Sequence, residues 1–210
     1  MIHKQIKKKG ILAKLLEKGF EILLKKECKN IENIKINIVA TSIQIIKGSI
    51  QKIYIIAEDI NYKDLLFNEV ELEANDLKII FNINNKQLRF GNNFIINFKI
   101  SLSSNSLKKV LSSNNWNWIE DIISKEILNQ AKLEDIKLKD GQLLIKTSKY
   151  NNTINEGEKI DIKTENGKIY LENKENNKSI KIPIEDKICI KNVNVKNNLI
   201  NIFAHSSISF

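Results

Sequence analysis

Two histidines, two cysteines and a few neighbouring carboxylates are what this sequence offers to polar catalysis. His3 sits among N-terminal lysines, and His205 lies between Ala204 and Ser206. A hydrolytic triad would also need an activated serine, and the sequence has no glycine-flanked serine or nucleophile elbow. His205 therefore reads as a satisfied strand residue. Cys28 and Cys189 have no partners at zinc-ligand spacing and form no disulfide framework. Cys189, between Ile188 and Ile190, reads as a small apolar strand residue in a reducing compartment. The pairs Glu58-Asp59 and Glu120-Asp121 are adjacent, so their side chains diverge on a strand or helix and make no acid/base dyad. Both pairs read as solvated. Glu69, Glu71 and Glu73 alternate with Val70 and Leu72, the pattern of one solvated strand face. No phosphate loop or dinucleotide glycine pattern occurs. The expectation is a protein that is not an enzyme and uses no cofactor or metal.

Charge points to a surface instead. The 210 residues carry a formal net charge of +9, and nine lysines against three glutamates fall within the first 30 residues. Ile, Asn and Lys dominate and Arg89 is the only arginine, a bias that an AT-rich genome produces by codon supply. Few arginines mean little bidentate phosphate recognition. Aromatic residues do not interleave with basic ones along a strand, as a single-strand nucleic-acid binder requires, so no nucleic-acid partner is expected. The apolar runs fall short of the ~20 residues that span a bilayer. Lys14, Glu17 and Lys18 interrupt the apolar stretch after Gly10, so the N-terminus reads as retained and not as an export signal.

These side chains must be positioned by a mostly β chain. Residues 5–27 read as an amphipathic helix, with Leu12, Leu15, Leu16, Phe20, Leu23 and Leu24 recurring at helical spacing and lysines opposite. From residue 34 the period becomes two. Strands are expected near 43–47, 50–57, 67–74, 77–83 and 88–100. Two short helices follow, one capped by Ser104 and one opened by Trp116 and running to about Gln130. Hairpins turn at Asp140-Gly141 and Asn166-Gly167, both suited to type I′ turns. Strands near 178–184, 188–195 and 199–209 complete the chain, with Pro183 at an edge or strand start. One domain is expected at 31–210, with residues 1–30 as a basic helix belonging to it.

Several strands are apolar on successive residues, as in 53–57, 79–81, 94–96 and 202–204. A strand apolar on both faces must be covered on both faces, by a second sheet or by an apolar ligand. The candidate lining residues are Phe20, Ile55, Phe81, Phe94, Trp116, Trp118, Ile123 and Phe203. Core anchoring is the plain alternative for the two tryptophans.

The order of elements from Ile45-Ile46-Lys47-Gly48 through Val70–Ala74, Leu88-Arg89-Phe90 and Ile100-Ser101-Leu102 to the Ser112–Trp116 segment resembles the LmeA-like phospholipid-binding family. The resemblance runs from about residue 34 to 208 on loose hydrophobic and turn patterns. It implies an α+β, mostly β fold: an elongated, curled antiparallel sheet or barrel-like tubular lipid-binding fold, with helices along it and an apolar groove for acyl chains. It carries over no catalytic residues. The expected function is non-catalytic binding of lipid or another apolar ligand; the alternative is a structural or protein-interaction module with a filled core. Lys7, Lys8, Lys9, Lys14 and Lys18 are the candidate contacts to an anionic membrane surface, where each contributes on the order of 1 kcal/mol. The N-terminal helix could serve as ordinary core or lie in the interface. A cytoplasmic protein, peripheral on the cytoplasmic side of a membrane, fits these readings.

Overall fold

The structure, a computed structural model, describes residues 10–82, 87–148 and 157–209, without the side chains of residues 81, 82, 87 and 88. Helix α1 (Ile11–Glu27) leads into β1 (Asn30–Val39), α2 (Ser42–Ile46), β2 (Ser49–Tyr62), β3 (Leu65–Asn82), β4 (Gln87–Phe90) and β5 (Phe94–Ser103). Then come α3 (Ser104–Leu111), α4 (Asn117–Glu126), β6 (Leu133–Lys139), β7 (Gln142–Thr147) and β8 (Glu158–Glu165). The chain ends with β9 (Lys168–Asn173), β10 (Lys178–Lys181), β11 (Ile188–Lys196) and β12 (Leu199–Ile208).

The strands form two antiparallel sheets. The first runs β1-β2-β3-β5-β12-β11, with β4 pairing onto β3, and the second runs β10-β9-β8-β7-β6. Both are open, so the mostly β, antiparallel expectation holds while a barrel does not form.

The turns follow from residue types that tolerate positive φ. Asp140-Gly141 and Asn166-Gly167 close two-residue hairpins with φ of 51° and 83°, and of 48° and 72°. Lys63-Asp64 and Asn197-Asn198 close two more at φ between 50° and 67°, without the glycine that marks such turns in a sequence.

The structure corrects three of the expected elements here. The expected strand at 43–47 is helix α2, because Thr41 and Gln44 form a capping box: the Thr41 side chain accepts from the Gln44 N–H at 3.2 Å, and the Gln44 side chain accepts from the Thr41 N–H at 2.7 Å. The expected strands at 67–74 and 77–83 are one, β3, carried through Asp76 at φ 54°. The run at 88–100 is broken at Gly91 into β4 and β5. The opening helix is described from Ile11; residues 5–9 lie outside the described residues.

Alternation then separates the faces of the first sheet. Ile38, Ile53, Ala74, Ile96 and Ser206 stand opposite one another across successive strands, as do Ile36, Ile55, Leu72, Phe98, Ala204 and Ile190. This face is the covered one. Helix α1 packs on β1, and Leu16 and Phe20 lie against Ile38, Ile50, Ile53, Ala74, Leu77 and Phe94. The second sheet covers the β11–β12 side, where Ile169 packs with Ile190 and Ala204. A third core joins α4 to the second sheet through Ile123, Ile127, Ile136, Ile145 and Ile160. Val70, Leu72 and Ile100, in the middle of the same face, are half-buried and belong to none of these clusters.

Candidate functional site: an apolar groove at one end of the sheet

The end of β1, the start of β2, the end of β3 and the start of β5 meet at one end of the first sheet, and α2 bridges the first two there. Helix α1 brings its N-terminal half to the same end, where Gly10 lies against the Ser42 hydroxyl. Between them is a groove of about 760 Å³. Leu12, Leu15 and Leu16 line it from α1, Ile45, Ile46 and Lys47 from α2 and its C-cap, Gly48 and Ile50 from the start of β2, and Ile79 and Ile80 from β3. Lys47 is the single charged lining residue among the described residues.

Local sequence explains why the groove is open. Gly48 has φ 70°, and a Cβ there would meet the Ile79 carbonyl oxygen at 2.1 Å, so only glycine lets β2 start this close to β3. The Ile79 N–H donates to the Gly48 carbonyl at 2.6 Å and pins that approach. Helix α2 is five residues long, too short to close over the groove. Apolar side chains from all three elements around it project outward instead: Ile46 of α2 is 75% exposed, Ile80 of β3 59% and Leu15 of α1 63%. Ile11 at 78% and Ile43 at 66% extend the same apolar surface beyond the groove.

The seven expected lining residues whose side chains are described fall into four places. Phe20, Ile55 and Phe94 come together in the core beneath this groove, with the Phe94 ring 4.9 Å from that of Phe90. Phe81 follows Ile80 in β3, and its side chain lies outside the described residues. Trp116 caps α4 at the opposite end of the sheet, where its indole N–H donates to the Lys63 carbonyl at 2.8 Å and its ring centroid lies 6.2 Å from that of Trp118. Ile123 is buried in the core between α4 and the second sheet. Phe203 lies on the other face of the first sheet, beside Tyr54 and Lys99. The seven whose side chains are described do not form one lining; packing on two sheet faces and at two ends divides them. Of the candidate surface lysines, Lys14 is exposed on α1, Lys18 pairs with Glu21 at 2.8 Å, and Lys7, Lys8 and Lys9 lie outside the described residues.

The sequence reading missed Ile45, Ile46, Ile79 and Ile80 as lining. The Thr41/Gln44 capping signature was the available signal, since it turns 42–46 into a helix whose isoleucines cannot join a strand.

The open face of the first sheet is polar and internally paired. Tyr54 donates to Glu71 at 2.6 Å, Lys99 bridges Glu69 and Glu71, and Lys52 pairs with Glu73 at 2.7 Å. Lys99, then Tyr54, holds the Glu71 carboxyl below the usual glutamate range. This ladder is a charge-compensated surface rather than a set of acids and bases poised for proton transfer. Burial, reinforced by Glu27, pushes the Cys28 thiol above its ordinary value, the opposite of an activated nucleophile. Glu120 is half-buried, contrary to the solvated reading, and burial followed by Asp121 raises its carboxyl. His205 is a strand residue as expected, but its Nδ1 is buried without a hydrogen-bond partner among the described residues, contrary to the satisfied reading. No cluster of three potential metal ligands occurs among the described residues, and no described helix is long and apolar enough to cross a membrane.

Comparison with protein-family models, with curated proteins and with solved structures gives no match.

Proposed function

We propose that this protein binds an apolar ligand, the acyl chain of a lipid, in the groove between α1, α2 and β3, without catalysing a reaction. One observation carries the reading: a cavity of about 760 Å³ lined almost wholly by leucine and isoleucine and open to the surface. That volume lies within the roughly 300–1,000 Å³ typical of small-molecule sites. Burying ten or so methylenes would contribute about 8 kcal/mol before ordering costs, at roughly 0.8 per CH₂, enough for retention without a covalent bond. The reading agrees with the acyl-chain groove implied by the LmeA-like resemblance, but it rests on different residues. It puts the protein at the cytoplasmic side of a membrane, in a reducing compartment that its free cysteines suit.

Native mass spectrometry and lipid extraction of the purified protein test it. Co-purifying lipid, or saturable uptake of a fluorescent fatty-acyl probe, is the expected result. A protein with no lipid and no probe uptake overturns it.

A second reading, a protein-interaction module, is favoured by the other half of the molecule. Ile127, Ile145 and Ile160 are fully buried between α4 and the second sheet, so that half is packed as ordinary core.

A further inference from the structure

The groove end of the molecule is apolar at its tip and basic around it, and the fold assembles that charge from separate parts of the chain. Segments 1–16, 34–57 and 77–98 hold eleven of the 34 cations and none of the 25 acids, which leaves 23 cations against 25 acids elsewhere. Not all of these cations reach the tip: Lys35 stands opposite Ile56 in mid-sheet, and Lys52 pairs with Glu73 at 2.7 Å. Lys14, Lys47, Lys78 and Arg89 are exposed around the tip. At its centre stand Ile11, Leu15, Ile43, Ile46 and Ile80, each more than half exposed. Soluble proteins rarely leave a contiguous apolar surface uncovered without a partner for it.

We infer that this tip is a membrane-docking surface that inserts into an anionic bilayer, with Ile11 and Ile43 as its leading apolar contacts and the flanking lysines against lipid headgroups. A protein partner would be expected to meet cations with acids at particular positions, whereas a ring of cations around an apolar centre matches a surface that is anionic in every direction and apolar beneath. The groove opens on this same tip, so a docked molecule holds its mouth against the bilayer. That last step rests on the acyl-chain reading above; the docking itself does not.

The experiment is flotation of the full-length protein with phosphatidylglycerol–phosphatidylcholine vesicles and with pure phosphatidylcholine vesicles. Wild type binds the anionic vesicles, and added salt weakens the binding, since the screening length falls to about 3 Å at 1 M. Ile11→Ser with Ile43→Ser weakens binding about tenfold or more, the scale of losing two isoleucine contacts at a bilayer interface. Neither residue lines the groove, so this variant keeps fatty-acyl probe uptake in vesicle-free solution. Lys14→Gln with Lys47→Gln and Lys78→Gln abolishes the preference for anionic vesicles. Ile22→Ser with Leu23→Ser removes apolar side chains that are 58% and 51% exposed on α1 and line no part of the groove, and it leaves binding unchanged. Thermal unfolding confirms that each variant is folded. No binding by wild type, wild-type binding by the Ile11/Ile43 variant, or equal loss in the Ile22/Leu23 variant overturns the inference. So does a wild-type dimer that the Ile11/Ile43 variant splits, which would assign the tip to a second copy of the chain. Loss of probe uptake with vesicle binding intact would overturn the acyl-chain reading and leave docking standing.

Discussion

The Glu17 carboxylate of α1 accepts a hydrogen bond from the Ile38 backbone N–H of β1 at 2.8 Å. Ile38 lies on the outer strand of the first sheet, where a backbone donor has no neighbouring strand to meet. Glu17 thus satisfies an edge that would otherwise be open, and it ties the basic helix to the sheet beside the groove.

Removing that acceptor should loosen the helix. Glu17→Ala is expected to lower stability by about 1–2 kcal/mol, the cost of a lost charge-assisted bond to a half-buried donor. Glu17→Gln keeps an acceptor oxygen and should cost less. Urea denaturation of the two variants checks the order.

The apolar side chains of α1 divide into two sets by burial. Leu16→Ala and Phe20→Ala each remove packing from the core against β1 and β2, and each should cost about 1–3 kcal/mol. Leu15→Ala and Leu23→Ala remove exposed side chains and should fall within about 0.5 kcal/mol of wild type. Equal losses across all four would mean that the helix buries a wider face.

How much of this was readable beforehand follows from which interactions are local. The Asp140-Gly141 and Asn166-Gly167 hairpins, the alternating face of Glu69, Glu71 and Glu73, and the amphipathic helix around Leu16 and Phe20 are set by neighbours in sequence, and the sequence states them. Helix α2 depends on one capping box inside a strand-like isoleucine run, so composition hid it. The groove depends on Leu12, Ile46 and Ile80, which come together only through the order of strands, and no local period encodes that. Trp116, Ile123 and Phe203 looked equivalent to Phe20 as apolar residues, yet topology sends each to a different place.

Two glycines at positive φ should respond differently to substitution. At Gly167, φ is 72° and a Cβ would meet the Cys189 sulfur at 2.9 Å, in the turn whose carbonyl accepts from the Ile190 N–H at 2.9 Å. Gly167→Ala adds a contact between the two sheets to the backbone strain and should cost about 2–3 kcal/mol. Gly141, at φ 83° with open space around it, should cost about 1 kcal/mol as alanine. Thermal unfolding of both variants tests the difference.

The ladder on the open face predicts opposite pH limbs. Lys99 and Tyr54 depress Glu71, so its contribution to stability is present above the ordinary glutamate range and is lost as pH falls through the depressed value. Tyr54 is raised, first by its bond to Glu71, and Lys99 is raised by Glu71. Their contributions are present below their ordinary values and are lost as pH rises through the raised ones. Glu71→Gln should therefore flatten both the acid and the alkaline limbs of a stability–pH curve, and an absorbance titration should show the Tyr54 phenolate forming at lower pH in that variant.

Titration of a fluorescent fatty-acyl probe into wild type and into Ile46→Arg with Ile80→Arg tests the central claim most directly. Both side chains line the groove and both are more than half exposed, so the substitutions block the cavity without emptying the core. The account predicts saturable uptake by wild type, with blue-shifted emission, and loss of uptake by the variant at unchanged thermal stability. Absence of uptake by wild type, or equal uptake by the two proteins, would contradict it.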